Sequence, residues 1–265
     1  MDKISIIMGI YNCADTLDES IQCIINQSYQ NWELIMCDDG STDDTYKVAE
    51  KYLKEFPDKI ILIRNQKNEG LNRTLNNCLK YAKGEYIARM DGDDLCSPDR
   101  LEKEVAFLKG NPEFDIVSTN MKYFDDNGVF AQSRMKEYPE KEDFAFGTQF
   151  CHAPCMVTRK AYEAVGGYTV GKKTLRVEDY ELWVRMYAMG YKGYNIQEPL
   201  YSMRDDRNAA KRRKFRYRTN EVYVRFLAVK MLKLPKRKLI YASKPMVVGL
   251  LPMWIYRGLR KKVHM

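Results

Sequence analysis

Short apolar segments alternate with amphipathic ones through the first 110 residues, and this alternation constrains the fold more than any other feature. Four apolar runs typical of buried strands lie at residues 3–10, 32–37, 59–64 and 85–90. Three segments with apolar residues at helical spacing separate them, near 16–27, 43–55 and 71–82. Strands that alternate with helices of this length predict a mostly parallel sheet with helices on both faces.

A cluster of polar residues follows each of the four predicted strands. In sheets of this kind, ligands bind outside the carboxyl ends of the strands. We therefore expect the four clusters to meet in one crevice. The clusters are Tyr11-Asn12, Asp38-Asp39, residues 65–70 and residues 91–94.

The last cluster, Asp91-Gly92-Asp93-Asp94, places three carboxylates in four residues. Such carboxylates repel one another unless a cation lies among them. In an extended backbone Asp91 and Asp93 would project to the same side, and Gly92 would leave room for a ligand. One or two carboxylates completed by water and phosphate oxygens suit Mg²⁺ or Mn²⁺. An acidic turn that only caps the next helix is the alternative for this stretch taken alone.

The pattern changes after a helix predicted near residues 98–109. Residues 116–135 look like a hairpin, because Asn127-Gly128 favours a tight turn between two apolar runs. A short strand at 156–157 and a helix over 177–189 follow. The second half is therefore mixed, and we expect it to cover the crevice where a second substrate would bind.

Size and cysteine usage limit the class of protein. At 265 residues and 45% hydrophobic, the chain can form one large domain, or one domain with an appendage. The seven cysteines form no Cys-x-x-Cys pair, and the N-terminus shows no signal peptide. These features predict reduced thiols in a cytoplasmic protein. With only two histidines in the chain, a zinc site at Cys151, His152 and Cys155 is disfavoured.

The net charge of +8 conceals an uneven distribution. Residues 201–265 hold 19 Lys+Arg and 3 Asp+Glu, whereas residues 1–200 hold 25 and 33. An acidic body with a basic tail predicts contact with an anionic surface. The apolar stretch 246–256 is shorter than the roughly 20 residues of a spanning helix, so it favours an element lying in the membrane interface. The alternative is a helix packed on the body; no motif favours nucleic acid.

Taken in order, the motifs resemble those of family 2 glycosyltransferases with the GT-A fold, over roughly residues 3–205. The resemblance is greatest to bacterial exopolysaccharide and capsule transferases. It implies a Rossmann-like mixed sheet flanked by helices, with residues 1–110 binding a nucleotide sugar and 111–205 an acceptor. A basic helical region, 206–265, would follow this 1–205 domain. The segments that carry the resemblance are 5–12, 35–43, 68–71, 84–94, 165–168 and 178–185.

The resemblance also implies a donor and a cofactor. The donor would be a nucleoside-diphosphate sugar, with UDP-sugars favoured, and the cofactor Mn²⁺ or Mg²⁺. Tyr11 and Asp39 would hold the base, Asp91 the ribose and diphosphate, and Asp93 the metal, with Asp91 as a second ligand. Arg73 could reach the diphosphate, but it is equally well explained as a solvent-exposed cation on a helix. The residues implied in donor binding are Tyr11, Asp39, Asn68, Arg73, Asp91, Gly92 and Asp93.

On the acceptor side, the resemblance makes Asp179 the catalytic base of an inverting transfer. We expect its carboxylate to stay ionised, because it lies at the start of a helix. His152, Glu178 and Trp183 would contact the acceptor, although a structural histidine and a core tryptophan remain alternatives. The Gln-x-x-Arg-Trp motif of processive synthases is absent, which favours the addition of one sugar per encounter.

The implied function is transfer of a sugar to a glycan, lipid-linked in our expectation, at the inner face of the cell membrane. The protein would be peripheral there and would contact anionic lipid through its C-terminal region. The alternative is a non-catalytic binding or regulatory protein on the same scaffold, acting through that basic region.

Overall fold

The computed structural model describes residues 2–205 and 216–246, and a nine-stranded sheet runs through the first of these ranges. Across the sheet the order is β3-β2-β1-β4-β8-β6-β9-β5, and β7 pairs with β6. The strands are β1 (Ile4–Ile10), β2 (Trp32–Asp38), β3 (Ile60–Arg64), β4 (Tyr86–Arg89), β5 (Leu95–Cys96), β6 (Ile116–Asp125), β7 (Gly128–Gln132), β8 (Met156–Thr158) and β9 (Gly193–Arg204).

Helices connect the strands, and the predicted alternation is confirmed through the first half. The helices are α1 (Ala14–Ile25), α2 (Thr45–Glu55), α3 (Leu71–Leu79), α4 (Arg100–Gly110), α5 (Arg159–Val165), α6 (Glu178–Ala188) and α7 (Arg216–Met231). Two 3-10 helices cover Lys141–Ala145 and Lys236–Ser243. The hairpin predicted over 116–135 is formed by β6 and β7.

The first four strands are parallel, and their order creates the crevice. β2 lies on one side of β1, with β3 beyond it, whereas β4 returns to the other side of β1. Such a reversal of strand order opens a ligand crevice at the carboxyl ends. The second half is mixed, because β8 is antiparallel to β4 and β6, while β9 runs parallel to β6.

Two apolar clusters cover the opposite faces of the sheet, as the alternation of side chains along a strand requires. Ile6 and Met8 point into the cluster that includes Leu17 of α1. Ile7, between them in sequence, points into the other cluster with Leu75 of α3. Each strand therefore links the helices of the two layers.

β9 has twelve residues and was not predicted from the sequence. It contains Pro199, and its pairing with β6 shifts register on both sides of Asn120. Proline and polar residues interrupt the alternation by which a strand is recognised. Its carboxyl end pairs with β5, the two residues that follow the acidic cluster, so β9 reaches the crevice.

Helix α7 packs against α6 and shares its apolar cluster. Val224 and Ala228 are completely buried there. Arg225 donates through Nη1 to the carbonyl of Tyr241 at 3.0 Å, which holds the second 3-10 helix against α7. For residues 216–246, the structure thus agrees with the alternative of a helix packed on the body.

The other sequence segments on which the membrane prediction rests lie largely outside the described residues. This applies to residues 247–256 of the apolar stretch and to most of the basic run 211–218. None of the helices within 2–205 and 216–246 is long and apolar enough to cross a membrane.

Candidate active site

The acidic cluster forms a tight turn after β4. The N–H of Asp94 donates to the carbonyl of Asp91 at 3.4 Å, and β5 follows at once. The backbone is therefore not extended from Asp91 to Asp93, so the same-side projection expected for an extended strand does not apply. The turn lies at the carboxyl end of β4, beside β1, where the strand order reverses.

Gly92 is needed for packing inside this turn. A Cβ at this position would lie 3.0 Å from Cys13 Sγ and 3.0 Å from Ile10 Cγ2. Thr16 Oγ1 donates to the carbonyl of Gly92 at 3.1 Å and fixes the turn against α1. The space next to its Cα is thus filled by protein, which corrects the expectation that glycine leaves room there for a ligand.

Asp94 fastens the turn to β9 and α1. Tyr201 OH donates to Asp94 Oδ2 at 2.9 Å, and the N–H of Arg204 donates to Asp94 Oδ1 at 2.7 Å. The carbonyl of Asp94 accepts a hydrogen bond from Ser20 Oγ at 2.7 Å. Tyr201 OH also accepts the N–H of Asp91 at 3.2 Å. Asp94 is buried, so its carboxylate is a structural anchor.

Negative charge accumulates at the turn. Burial, and then the carboxylates of Asp91 and Asp93, raise the pKa of Asp94 to about 8. Loss of solvent, and then Asp91, also raise the pKa of Asp93. Arg89 partly compensates, because its Nη2 lies 2.5 Å from Asp91 Oδ1. With this pKa Asp94 is mostly protonated near pH 7, so the negative charge lies on Asp91 and Asp93, beside the guanidiniums of Arg89 and Arg204. A further cation would stabilise the ionised form of all three acids.

The residues present fit a divalent ion that binds together with a phosphate. Within residues 2–205 and 216–246, no three His, Cys, Asp or Glu side chains converge in a ready-made metal cage. Mg²⁺ and Mn²⁺ do not require one, because they accept one or two carboxylates and fill the remaining positions with water and phosphate oxygens. Asp93 is exposed at the turn and is available as such a ligand, with Asp91 beside it.

Asp39 follows β2, and its carboxylate holds the loop of residues 65–70 that follows β3. Its Oδ1 accepts hydrogen bonds from Asn65 Nδ2 and the N–H of Glu69, both at 2.8 Å. Its Oδ2 accepts the N–H of Gly70 at 2.9 Å. Gly40 comes next, with a φ of +73°, and a Cβ there would lie 2.7 Å from backbone atoms of the same loop. The buried Asp39 carboxylate therefore shapes this side of the crevice.

Three other residues implied in donor binding are accessible. Tyr11 follows β1 with 45% of its surface exposed, so one face of its ring can receive a flat ligand. Asn68 lies exposed in the loop that Asp39 holds. Arg73 lies exposed on the first turn of α3. The ends of β1, β2 and β4 thus bring the predicted donor residues to one edge of the sheet.

Asp179 lies in the first turn of α6, near enough to Arg89 for the guanidinium to favour its ionised form. Burial, and then the neighbouring Glu178, raise its pKa to about 6. The carboxylate is thus less readily ionised than the helix N-terminus alone would make it, because loss of solvent opposes the effect of the helix dipole. A carboxylate with this pKa is mostly ionised at pH 7 and can still accept a proton effectively.

Glu178 has a carboxylate oxygen that accepts no hydrogen bond from the described residues. Its Oε2 is buried and has no hydrogen-bond partner among the described residues. A buried carboxylate oxygen without a partner is costly unless a ligand or water satisfies it. This arrangement is compatible with the acceptor contact expected of Glu178.

His152 is neutral and is held by aromatic neighbours. Its Nε2 forms a 2.9 Å hydrogen bond with Tyr168 OH. Burial, and then the Arg89 guanidinium, keep the pKa of His152 well below its usual range. Trp183 packs edge-on against the His152 ring at 5.9 Å and is itself completely buried. The expected contact of Trp183 with an acceptor is therefore wrong, and its indole supports His152 instead.

Sequence reasoning missed three residues of the site. Tyr201 and Arg204 lie on β9, and Arg204 also donates through Nε to the carbonyl of Asp93 at 3.1 Å. Arg89 ends β4 with only 5% of its surface exposed, and its Nε–H lacks a partner among the described residues. A charged residue at the end of a buried strand was the available signal for Arg89.

Comparison with known proteins identifies the family. The sequence model described as "Glycosyl transferase family 2" matches residues 5–166, more than half of the chain. The chain belongs to glycosyl transferase family 2. It is 45% identical over 260 residues to the EpsE protein of Bacillus subtilis, named as a glycosyltransferase, covering 98% of this chain and 94% of that protein.

A second relative has a more specific name. WfaP of Escherichia coli, a "UDP-Glc:alpha-D-GlcNAc-diphosphoundecaprenol beta-1,3-glucosyltransferase", is 31% identical over 197 residues, covering 74% of each protein. Among solved structures, the mannosyltransferase PcManGT of Pyrobaculum calidifontis, in complex with GDP-Man and Mn²⁺, has a TM-score of 0.67 at 19% identity. The match covers 98% of this glycosyltransferase and 79% of PcManGT. The predicted GT-A fold is thereby confirmed.

Tyr201 provides a test of how the acidic turn is held. Tyr201→Phe removes the hydroxyl that serves both Asp94 and the N–H of Asp91. Because both groups are enclosed, we expect the free energy of unfolding to fall by about 1–3 kcal/mol in metal-free buffer. The measurement is equilibrium denaturation. Tyr194→Phe is the control, because its hydroxyl donates to exposed Glu137 and should change stability by at most about 0.5 kcal/mol. Equal effects in the two variants would contradict this role.

Proposed function

We propose that this glycosyltransferase is an inverting, metal-dependent enzyme of polysaccharide biosynthesis. It moves one hexose-type sugar from a nucleoside diphosphate to a hydroxyl of a lipid-linked glycan, in the formation of exopolysaccharide or capsule. One observation carries the proposal: Arg89, which pairs with Asp91 of the charge-crowded turn, also acts electrostatically on Asp179, and the pKa of that carboxyl is raised to about 6. A binding or regulatory protein would have no need for the second of these features.

The donor lies along the ends of β1, β2 and β4 in this proposal. Tyr11 stacks on the base, and Asp39 uses its remaining acceptor position to hold the base, since three hydrogen bonds do not saturate a carboxylate. Asn68 and Arg73 line the diphosphate side. Asp93, with Asp91 beside it, would hold Mn²⁺ or Mg²⁺, and the ion would offset the charge that develops on the departing nucleoside diphosphate. The name of WfaP favours UDP-sugars, although PcManGT was solved with GDP-Man.

Asp179 takes the proton of the acceptor hydroxyl as that oxygen attacks the anomeric carbon. The hydroxyl is a poor nucleophile at neutral pH, so proton transfer to a positioned carboxylate lowers the barrier. A base on one face of the sugar and a leaving group on the other produce inversion. Glu178 and the neutral His152 orient the acceptor beside Asp179.

The acceptor is proposed to be a glycan on a diphosphate-linked lipid, because the acceptor named for WfaP is of this kind. An enzyme using such an acceptor works at a membrane surface. Residues 222–246 contain seven Lys and Arg and no Asp or Glu. Ile240 and Tyr241 are exposed in the same region. Cations with exposed apolar groups are attracted to anionic bilayers, so we place the protein peripherally on the inner face of the cell membrane.

Asp93→Ala tests the metal site. We expect the variant to lose turnover, and to lose the increase in UDP affinity that Mn²⁺ produces in the unaltered protein. Isothermal calorimetry with and without Mn²⁺ measures the second effect. Asp44→Ala is a matched control, because the Asp44 carboxylate is 70% exposed and its ion pair is with the similarly exposed Lys47 on the same helix turn. Metal-enhanced affinity that survives in Asp93→Ala would refute this ligand assignment.

Asp179→Asn tests the base. The amide keeps the shape of the carboxylate and cannot accept the proton, so the rate should fall by roughly 10²–10⁴. UDP affinity should stay the same. In the unaltered enzyme kcat/KM should decrease below about pH 6, because Asp179 becomes protonated there. A variant with a near-normal rate at saturating acceptor would show that another group is the base.

A chain ending at Leu234 tests the membrane contact, because it removes the exposed Ile240 and Tyr241, the four cations of residues 235–246 and everything after them. We expect the full chain to sediment with anionic vesicles. This binding should weaken as the salt concentration rises, since screening weakens charge attraction. The shortened chain should bind these vesicles much less and bind UDP normally. Vesicles of neutral lipid serve as the control. Equal sedimentation of both chains, or equal binding to neutral vesicles, would show that residues 235–265 do not form the contact.

A further inference from the structure

The loop that leads into α6 combines positive charge with exposed apolar side chains. Residues 170–176 contain no Asp or Glu, although residues 1–200 as a whole are acidic. Val170 and Leu175 are 46% and 44% exposed. The cationic side chains are all exposed, and they are those of Lys172, Lys173 and Arg176.

The backbone of this loop is fixed by side chains from its neighbours. Asn220 of α7 donates through Nδ2 to the carbonyls of Lys172 and Leu175, at 3.0 and 2.9 Å. Thr174 is buried, and its hydroxyl donates to the carbonyl of Thr169 at 3.0 Å. The loop therefore has a defined shape from which the three cations and two apolar groups project.

The loop is also tied to both sides of the crevice. Asn72 of α3, on the donor side, donates through Nδ2 to the carbonyl of Thr169 at 2.8 Å. Thr169 Oγ1 in turn donates to Glu181 Oε1 of α6 at 3.1 Å. Arg176 is three residues before Asp179 in the chain. A ligand on the loop would thus lie next to the proposed base.

The three cations have little to neutralise them. Among the described residues none of them forms an ion pair, and Lys173 Nζ lies 5.1 Å from the centre of the Tyr223 ring. Arg176 has a φ of +69°, a left-handed conformation that glycine favours. Strained backbone conformations of this kind cluster at ligand-binding and active sites.

We propose that this loop binds the diphosphate-lipid portion of the acceptor. Lys172, Lys173 and Arg176 contact the phosphates, and Val170 and Leu175 pack against the beginning of the lipid chain. The inference rests on the proposed function, since it needs an acceptor whose sugar is joined to lipid by a diphosphate. A sugar hydroxyl at Asp179 places that linkage about one sugar ring away, where the loop lies. A bilayer surface is disfavoured as the ligand, because the loop is pinned between α3 and α6 at the crevice.

The test compares two full-length triple variants with equal loss of charge. In the first, Lys172, Lys173 and Arg176 are each replaced by Gln. In the control, the exposed lysines at the opposite end of the parallel strands are replaced by Gln, namely Lys83, Lys109 and Lys160. The probe is farnesyl diphosphate, titrated by calorimetry with saturating UDP and Mn²⁺ present so that the donor site is occupied.

We expect the first variant to bind farnesyl diphosphate about tenfold more weakly or worse, because charge-assisted contacts are lost. The control should bind as the unaltered protein does, and farnesol should bind far more weakly than farnesyl diphosphate. Arg176→Gly removes one charge at a conformation that glycine adopts readily, so it should weaken binding without lowering the melting temperature. This variant keeps the test valid if the triple variant folds poorly.

Unchanged farnesyl diphosphate affinity in both the triple variant and Arg176→Gly would overturn the inference. So would equal binding of farnesol, or a loss of vesicle binding without a loss of farnesyl diphosphate affinity, which would make the loop a membrane contact. An unaltered protein that binds UDP but not the probe overturns this inference alone. One that binds neither overturns the proposed function as well.

Discussion

Mutual repulsion among the three carboxylates of the turn after β4 is the constraint on which the rest of the crevice depends. Arg89 neutralises part of it at Asp91. Ser20 of α1 and Tyr201 of β9 then hold the backbone of the turn, at the carbonyl of Asp94 and the N–H of Asp91. The folded structure thus holds the three acidic side chains close together, whereas in an isolated turn they would move apart. The nine-stranded sheet brings these distant segments to the same edge.

Two opposing effects act on the pKa of Asp179, and their balance decides how well its carboxylate accepts a proton near pH 7. The helix N-terminus favours the ionised carboxylate, typically by less than about 1 kcal/mol at an exposed site. Burial and the adjacent Glu178 act in the other direction and dominate, so the pKa rises to about 6. A fully exposed first-turn acid would be a weaker proton acceptor near pH 7. The environment of α6, including the packing of α7 upon it, therefore matters as much as the identity of the residue.

The parallel half of the fold could be predicted because each strand there is a continuous apolar run with a polar residue at its end. That pattern also identified Tyr11, Asp39 and the acidic cluster. The sequence of β9 shows no such apolar run, since Pro199 and several polar residues interrupt it. Tyr201 and Arg204, which lie on β9, were therefore missed as well. Trp183 packs against Phe150 and in the apolar cluster that α7 shares, which are distant in sequence, so the local pattern allowed a core tryptophan without deciding between core and acceptor contact.

Trp183 has a consequence for how the protein can be observed. The sequence contains three tryptophans, and this one lies in the apolar cluster with its ring edge toward His152 at 5.9 Å. Indole emission depends on nearby charge and hydration, and in the proposed acceptor complex both would change near His152. On that proposal Trp183 would serve as an intrinsic fluorescent reporter of acceptor binding, placed where no dye could be attached without disturbing the core.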